Sequence, residues 1–124
     1  MAKIPKRVME SMKKADVFVL ATSNRECMPN VVYIGYMKVL NDETVLIADN
    51  KMEKTLKNLL ENPKVSFTFR DDEAGSYQIK GSIDYHTGDE YHEDVRNWCK
   101  PHLARKGAVV LHVEAVYNGA ERLA

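Results

Sequence analysis

The sequence predicts a mainly β protein, a small six-stranded barrel with Greek-key-like connections and three short flanking helices. Two observations lead to this prediction. Six short segments rich in β-branched and aromatic residues are separated by turns, and three amphipathic segments show helical spacing. A barrel closes its own sheet edges, which suits a chain of 124 residues. This length fits one compact domain, residues 1–124, and is too short for two ordinary ones.

The first half of the chain is predicted to form one helix and three strands. Pro5–Ala15 has apolar side chains on one face and lysines over the rest, the pattern of an amphipathic helix. β-Branched and aromatic content predicts strands at Asp16–Thr22, Met28–Leu40 and Thr44–Ala48. Gly35, in the middle of the second strand, indicates a bulge or a close approach of another backbone segment.

The second helix is predicted to follow the third strand and to end at Asn62-Pro63, because the residue before proline avoids helical geometry. Asp49 and Asn50 are good N-cap residues, and Glu53 stands at capping-box spacing from Asn50. The apolar face of this helix is predicted to consist of Met52, Leu56, Leu59 and Leu60.

The start of this second helix has the residue types that a phosphate site requires. Lys51, Lys54 and Thr55 occupy its predicted first turn. A helix start presents unpaired backbone N–H groups and the positive end of the helix dipole, while lysine adds charge and threonine a hydroxyl donor. The pattern by itself is more typical of a solvated amphipathic helix that begins with lysines, so a phosphate site needs further support.

The second half of the chain is predicted to contain three strands and a third helix. Gly81 interrupts the middle strand and indicates a bulge or a barrel corner. The last strand is almost continuously apolar, which indicates burial on both faces. The predicted strands are Lys64–Arg70, Ser76–His86 and Gly107–Val116, and the helix runs from Gly88 to Lys100 with Tyr91, Val95, Trp98 and Cys99 on one face.

Composition and charge argue against several classes of protein. Apolar residues make up 44% and charged residues 29%, as in a soluble globular domain. Eighteen Lys and Arg residues balance eighteen Asp and Glu residues, which argues against a dedicated nucleic-acid binder. No apolar run approaches the ~20 residues of a membrane span, and the first residues lack the apolar core of a signal peptide. We therefore expect a cytoplasmic protein without a membrane partner, whose Cys27 and Cys99 remain thiols.

The residue pattern assigns no metal ligand and no catalytic acid, base or nucleophile. His92, Cys99 and His102 resemble part of a metal cluster, but a fourth ligand is missing and the spacing does not repeat. The serines have no nucleophile-elbow context. The residues themselves therefore leave open whether the protein is an enzyme.

Several sequence features follow one another in a recognisable order. Asn-Val-Val-Tyr-Ile-Gly-Tyr-Met-Lys at 30–38 precedes a hairpin, and a strand that ends in Ile-Ala-Asp-Asn at 47–50 precedes Lys-Met-Glu-Lys-Thr at 51–55. Glu61-Asn62-Pro63 ends the leucine-rich helix, and Gln78-x-x-Gly81 lies in the fifth strand. From about residue 16 to 123 this order resembles the pyridoxamine 5′-phosphate oxidase-like FMN-binding split barrels, and most closely their small FMN-binding members. The resemblance implies a six-stranded Greek-key split β-barrel.

The resemblance also implies an FMN site. Lys54 and Thr55 correspond to the basic residue and its neighbour that bind the FMN phosphate in this family. Many oxidases of the family have Arg-Lys there, so Lys-Thr is nearer the small FMN-binding proteins. The remaining contacts that the resemblance implies are with the flavin ring and its edge, through Val31, Val32, Tyr33, Ile47, Ala48, Asp49 and Asn50, then Lys51 in the loop, and Gln78.

In this family the flavin lies at a two-fold interface, so the resemblance implies a homodimer whose partner chain completes the site. Residues 98–102 and 122–123 are candidates for that contribution. The implied function is electron or hydride transfer between FMN and a small-molecule donor or acceptor, as in flavin reductases. True pyridoxamine phosphate oxidase activity is not expected, because the C-terminal substrate segment of the oxidases is lacking. The alternatives are a non-catalytic FMN-binding or storage module, a split barrel that binds heme or the deazaflavin F420, and a cofactor-free barrel.

Overall fold

The computed structural model describes residues 2–73 and 75–124, and these contain three helices and eight strands. The helices are α1 (Lys6–Lys14), α2 (Lys54–Glu61) and α3 (Glu90–Trp98). The strands are β1 (Phe18–Ser23), β2 (Pro29–Ile34), β3 (Met37–Asn41), β4 (Thr44–Asp49), β5 (Lys64–Arg70), β6 (Ser76–His86), β7 (Gly107–Asn118) and β8 (Glu121–Arg122). The predicted mainly β class is confirmed.

The strands form one antiparallel sheet in the order β2-β1-β5-β6-β7-β4-β3, with β8 paired to β7. The prediction of six strands is wrong, because the predicted second strand is two strands and β8 is additional. The backbone bends at Gly35 and Tyr36, so that β2 pairs with β1 whereas β3 pairs with β4. A Cβ atom at Gly35 would meet nothing within 4 Å, so the predicted close approach of another backbone segment is wrong. In place of the alternative, a bulge, the structure has a break between two strands.

The inward side chains of the sheet share one apolar core, which gives the sheet a barrel-like form. Leu20 of β1, Val45 of β4 and Phe67 of β5 belong to the same buried cluster. Helix α1 packs Val8 and Met12 into this cluster, as its predicted apolar face requires. The Greek-key arrangement of the connections stays a prediction.

Strand β7 is buried on both faces, as its continuous apolar sequence predicts. Val109 and Leu111 face the barrel core, whereas Ala108 and Val110 face a second cluster beneath α3. The predicted apolar face of α3 is confirmed, because all of its members belong to this second cluster. Helix α3 thereby fixes the loop that follows it, residues 99–106, next to the end of β4.

The predicted bulge at Gly81 is confirmed by a shift in the β6–β7 register between Lys80 and Gly81. A Cβ atom at Gly81 would lie 2.1 Å from the backbone oxygen of His112, so a side chain has no room there.

Across the described residues, every helix is too short or too polar to cross a bilayer.

Candidate functional site

A cavity of about 490 Å³ lies where the end of β2, the end of β4 and the start of α2 meet. Its volume falls within the range of about 300–1,000 Å³ that is usual for cofactor sites. Seven of the eleven predicted site residues border it, namely Val32, Tyr33, Ala48, Asn50, Lys51, Lys54 and Thr55. The structure therefore brings together both the predicted phosphate end and part of the predicted flavin wall.

The two ends of the cavity differ in chemistry. Lys51 and Lys54 are exposed at its basic end, next to the buried Thr55 in the first turn of α2. The opposite walls are mainly apolar and consist of Val32, Ile34, Ala48, Met52 and Leu103, with Tyr33 and Tyr36 at the side. A cationic end joined to an apolar slot suits a flat, largely apolar ligand with an anionic tail.

The loop between β4 and α2 is held in place by Asp49, whose side chain is 0% exposed. Asp49 Oδ1 accepts a hydrogen bond from the Met52 backbone N–H at 2.9 Å, and Oδ2 accepts one from the Tyr85 hydroxyl at 2.6 Å. Burial, followed by the hydrogen bond to Asp49, raises the pKa of Tyr85 above its usual range, so the hydroxyl keeps the proton that it donates. The Asp49 carboxylate thus faces the protein interior and shapes the cavity from behind.

Helix α2 begins at Lys54, later than predicted, and the predicted capping box is wrong. Glu53 is the N-cap residue, and no side chain accepts a hydrogen bond there. Asn50 instead accepts a hydrogen bond from the Arg105 backbone N–H at 2.9 Å. The predicted apolar face is also only partly right, because Leu60 is exposed whereas Leu59 is buried.

The loop at residues 99–106 supports the wall of the cavity. The Lys106 backbone N–H donates to the Asp49 backbone oxygen at 2.7 Å, and Lys106 Nζ donates to the Met52 backbone oxygen at 2.7 Å. The Lys106 ammonium also lies 3.8 Å from Asp49 Oδ1. Leu103 from the same loop borders the cavity directly.

A polar cluster fixes Thr55 behind the basic end of the cavity. Asn30 Nδ2 donates to Thr55 Oγ1 and to Thr22 Oγ1, each at 3.1 Å. Asn58, one turn further along α2, donates to the same Thr22 Oγ1 at 3.1 Å. These contacts attach the first turns of α2 to the β1–β2 hairpin.

The other four predicted site residues lie outside the cavity. Ile47 is wholly buried in the barrel core, and Asp49 lies behind the cavity wall. Val31 is exposed on the outer face of β2. Gln78 is three strands away from β2 on that same face and donates to Ser66 Oγ at 3.0 Å.

Several cavity residues were not predicted from the sequence. Tyr36 lies at the bend between β2 and β3, Leu103 lies in the 99–106 loop, and Glu53 precedes α2. Asn30 was also missed as a partner of Thr55, although an asparagine in a strand of β-branched residues is a signal that it has a specific hydrogen-bonding role.

A larger, open groove of about 1,000 Å³ runs between α1 and the turn that joins β5 to β6. Basic and acidic side chains alternate along it, among them Arg7, Glu10, Lys14, Asp16, Arg70, Asp72 and Glu73. This mixture offers no single ligand chemistry, whereas the smaller cavity separates a cationic end from an apolar wall. The smaller cavity is therefore the candidate functional site.

The histidines are placed away from the cavity lining, as far as the described residues show. His92 is buried, and its Nδ1 accepts from the Gly88 backbone N–H while its Nε2 donates to the Arg105 backbone oxygen. His86 contacts Asp89 at 2.6 Å. Within the described ranges, no three side chains among His, Cys, Asp and Glu stand close enough together to bind a metal ion.

Comparison with known proteins gives one relative of high similarity. An uncharacterised protein from Methanocaldococcus jannaschii is 42% identical over 121 residues, which cover 94% of this chain and 80% of the relative. Among solved structures, HupZ of Group A Streptococcus is 22% identical, with 93% of each chain covered and a TM-score of 0.83. A proposed pyridoxamine 5′-phosphate oxidase from Lactobacillus delbrueckii is 21% identical, with 93% of each chain covered and a TM-score of 0.80.

More distant structures with the same fold are described as binding different cofactors. An FMN-binding protein from Syntrophomonas wolfei is 16% identical over 96% of this chain and 88% of its own, with a TM-score of 0.66. The heme storage protein HutZ from Vibrio cholerae is 17% identical over 94% and 95%, with a TM-score of 0.70. An F420 reductase is 14% identical over 82% and 88%, with a TM-score of 0.66. At these identities the likeness shows the fold alone.

The family itself follows from a match along nearly the whole chain. The model of the pyridoxamine 5′-phosphate oxidase family matches residues 4–118, which include every strand of the sheet except β8 and all residues that border the cavity. The predicted resemblance is thereby confirmed. The chain belongs to the pyridoxamine 5′-phosphate oxidase family.

Proposed function

We propose that the chain is an FMN-binding flavoprotein that takes part in electron or hydride transfer with a small-molecule donor or acceptor. The observation that carries this proposal is the cavity with a basic helix start at one end and apolar walls at the other. The family match and the neighbour described as FMN-binding support it. Bound FMN would supply the redox chemistry, while the protein binds the cofactor, orients it and keeps water from it.

The phosphate is proposed to bind at the start of α2. Lys54 adds charge, Thr55 adds a hydroxyl donor, and the first turn of α2 has backbone N–H groups without a partner inside the helix. Lys51 lies at the same end and adds a second positive charge. Glu53, the exposed N-cap residue, borders the cavity between these two lysines, so this end has a net charge of about one positive unit. A phosphate dianion there would meet this charge and several donors, which favours FMN over riboflavin.

The flavin ring is proposed to lie against the apolar walls of the same cavity. Val32, Ala48 and Met52 provide apolar surface, and Asn50 is fixed at the edge by its hydrogen bond with Arg105. Flat aromatic ligands gain affinity from such walls because apolar area leaves water on binding. Leu103 and Tyr36 add further apolar surface to the lining.

A homodimer is proposed because an apolar face of the sheet is exposed beside the cavity. Val31 and Tyr33 of β2 are 63% and 81% exposed, and they pair with Ala21 and Val19 of β1 on the same face. Exposed apolar patches of this kind mark interaction surfaces. A second copy seated there would cover Tyr33 and so close the open side of the cavity. Gln78, on the same face, would then reach FMN only across the interface.

Other cofactors of the same fold are the second candidates, since neighbours are described as heme storage and F420 reductase proteins. Heme is the less suited of the two, because the described cavity lining has no histidine and the ring nitrogens of His92 are both engaged. F420 is a flat ring system with an anionic tail, so it would use the same two ends.

Both cysteines are free, which fits the reducing cytoplasm that we propose as the location.

The experiment that tests the proposal is an absorption spectrum of the purified protein, followed by mass identification of the compound that acid releases. We expect a flavin spectrum and FMN in the extract. A Soret band would indicate heme instead, and a fluorescent deazaflavin would indicate F420. A colourless protein that also fails to take up added FMN would contradict the flavin proposal. Saturable oxidation of a nicotinamide donor would indicate catalytic turnover, whereas its absence would indicate a module that only binds or stores FMN.

Lys54→Ala should lower the affinity for FMN about 10-fold and leave the affinity for riboflavin within about two-fold, since only FMN has the phosphate. Flavin fluorescence titration at fixed ionic strength measures both constants. Lys57→Ala is the matched control, because Lys57 is exposed on the same helix one turn away and does not border the cavity. Equal losses for the two flavins would place the phosphate elsewhere.

A further inference from the structure

We propose that Asn30 is a positioning residue that directs the Thr55 hydroxyl toward the ligand phosphate. The proposal rests on the proposed function, since it assigns a role within the phosphate end of that cavity. Asn30 itself does not border the cavity, whereas Thr55 does. Asn30 would therefore act through Thr55 and make no contact with the ligand.

The geometry around Thr55 is specific. Thr55 is only 3% exposed, yet it borders the cavity at the start of α2. Asn30 Nδ2 lies 3.1 Å from Thr55 Oγ1 and donates one amide hydrogen to it. The other amide hydrogen goes to Thr22 Oγ1, also at 3.1 Å. Both donors of the Asn30 amide are thus committed to threonine hydroxyls.

This arrangement decides which role the Thr55 hydroxyl plays. A hydroxyl has one hydrogen to donate and two lone pairs to accept with. Asn30 donates to the Thr55 oxygen, and among the hydrogen bonds of the described residues the Thr55 hydroxyl donates to no acceptor. Its hydrogen is therefore available for an acceptor on the cavity side. A phosphate oxygen is such an acceptor, and hydrogen bonds to charged groups are stronger than those between neutral groups. Asn30 therefore pre-sets Thr55 as a donor before the ligand arrives.

Thr22 is the fixed point of this arrangement. It is 5% exposed, and its hydroxyl accepts from Asn30 on β2 and from Asn58 on α2. Because two amides meet at one buried oxygen, the Asn30 side chain is held in a single orientation. Asn58 shares this support but has no contact with Thr55 among the hydrogen bonds of the described residues. It is therefore a matched control for a purely structural role.

The test is a double-mutant cycle read as the ratio of FMN affinity to riboflavin affinity. Thr55→Val should lower this ratio about 10-fold, because it removes a hydrogen bond to a charged group. Asn30→Ala should lower it about 5-fold, and the double variant should have a ratio no lower than that of Thr55→Val alone. Asn58→Ala should lower the midpoint of urea unfolding and leave the ratio within about two-fold of the unmodified protein.

Three results would overturn the inference. An unchanged ratio in Asn30→Ala, together with a lowered ratio in Thr55→Val, leaves the FMN proposal intact and removes the role of Asn30. Strictly additive losses in the cycle would show that Asn30 acts independently of Thr55. A protein that binds neither flavin would overturn the proposed function, and the inference with it. Asn30→Asp is the alternative variant if Asn30→Ala does not fold. Its carboxylate keeps the side-chain shape but accepts a hydrogen bond from Thr55, so its ratio of FMN affinity to riboflavin affinity should fall. The ratio should be lower than that of Asn58→Asp, which is the control for the added charge.

Discussion

The Asp49→Ala protein should unfold at a lower urea concentration than the unmodified protein, with its free energy of unfolding reduced by about 3–5 kcal/mol. Two groups lose their acceptor in this variant, namely the Met52 backbone N–H and the Tyr85 hydroxyl. The Lys106 ammonium loses its charge partner at 3.8 Å but keeps its hydrogen bond to the Met52 backbone oxygen. Each buried group that is left unsatisfied costs about 1–3 kcal/mol. The loss should therefore be among the largest that a single polar substitution causes in this chain.

Asp84→Ala is the control for removal of a carboxylate. Asp84 pairs with His112 at 2.7 Å, but its side chain is largely exposed, so we expect a loss below about 1 kcal/mol. Tyr85→Phe removes only the hydroxyl donor. Its loss in free energy of unfolding should lie between those of Asp49→Ala and Asp84→Ala. A change below about 1 kcal/mol in Asp49→Ala would contradict the role given to Asp49 as the support of the cavity loop.

The same variant should also loosen the loop between β4 and α2, which borders the cavity. Residues 49–53 keep their form through Asp49 and through the contacts from Lys106. Trypsin should therefore cleave after Lys51 faster in Asp49→Ala than in Asp84→Ala, at a urea concentration where both remain folded. FMN affinity should fall in parallel, because the cavity wall is formed by this loop.

The Val31→Arg protein should be monomeric at concentrations where the unmodified protein is a dimer, with self-association weakened at least about 100-fold. Val31 is central to the exposed apolar face of β2 and β1, so the proposed interface would bury it. A guanidinium buried there without a partner loses its hydration, which is a large cost. Sedimentation velocity measures the mass in solution over a range of concentrations.

Leu60→Arg is the matched control for Val31→Arg, since Leu60 is 67% exposed on α2, outside the β1–β2 face. The mass of the Leu60→Arg protein in solution should match that of the unmodified protein. FMN affinity should fall in Val31→Arg and not in Leu60→Arg if the second copy completes the site. A dimer that persists in Val31→Arg, or an unmodified protein that is monomeric, would contradict the proposed interface.

Local patterns predicted most of the sheet. The bounds of β5 and β6 are those predicted, because alternation of apolar and polar residues is a local signal and the acidic sequence after Arg70 interrupts it clearly. The register shift at Gly81 was likewise indicated by the glycine itself. The break at Gly35 was missed because β-branched and aromatic residues continue on both sides of it, so the pattern does not mark where the chain changes its pairing partner.

Contacts between distant residues account for the rest. The capping box failed because the Asp49 side chain takes the Met52 N–H and Asn50 binds Arg105, 55 residues away in the chain. The Asn30–Thr55 hydrogen bond joins residues 25 apart. Spacing along the sequence has no information about such pairs. The sequence therefore predicted which residues border the basic end of the cavity, but not the hydrogen bonds that support them.

The position of β7 has a consequence for the order of events during synthesis. Without β7, the sheet consists of two separate parts, since β6 ends one part and β4 begins the other. Residues 107–118 are made after both parts, at roughly 5–20 residues per second. The edges of β6 and β4 that pair with β7 in the finished sheet are therefore unpaired until β7 leaves the ribosome. Closure of the sheet, and with it the alignment of β4 beside α2 that forms the cavity, must be a late and non-local step of folding.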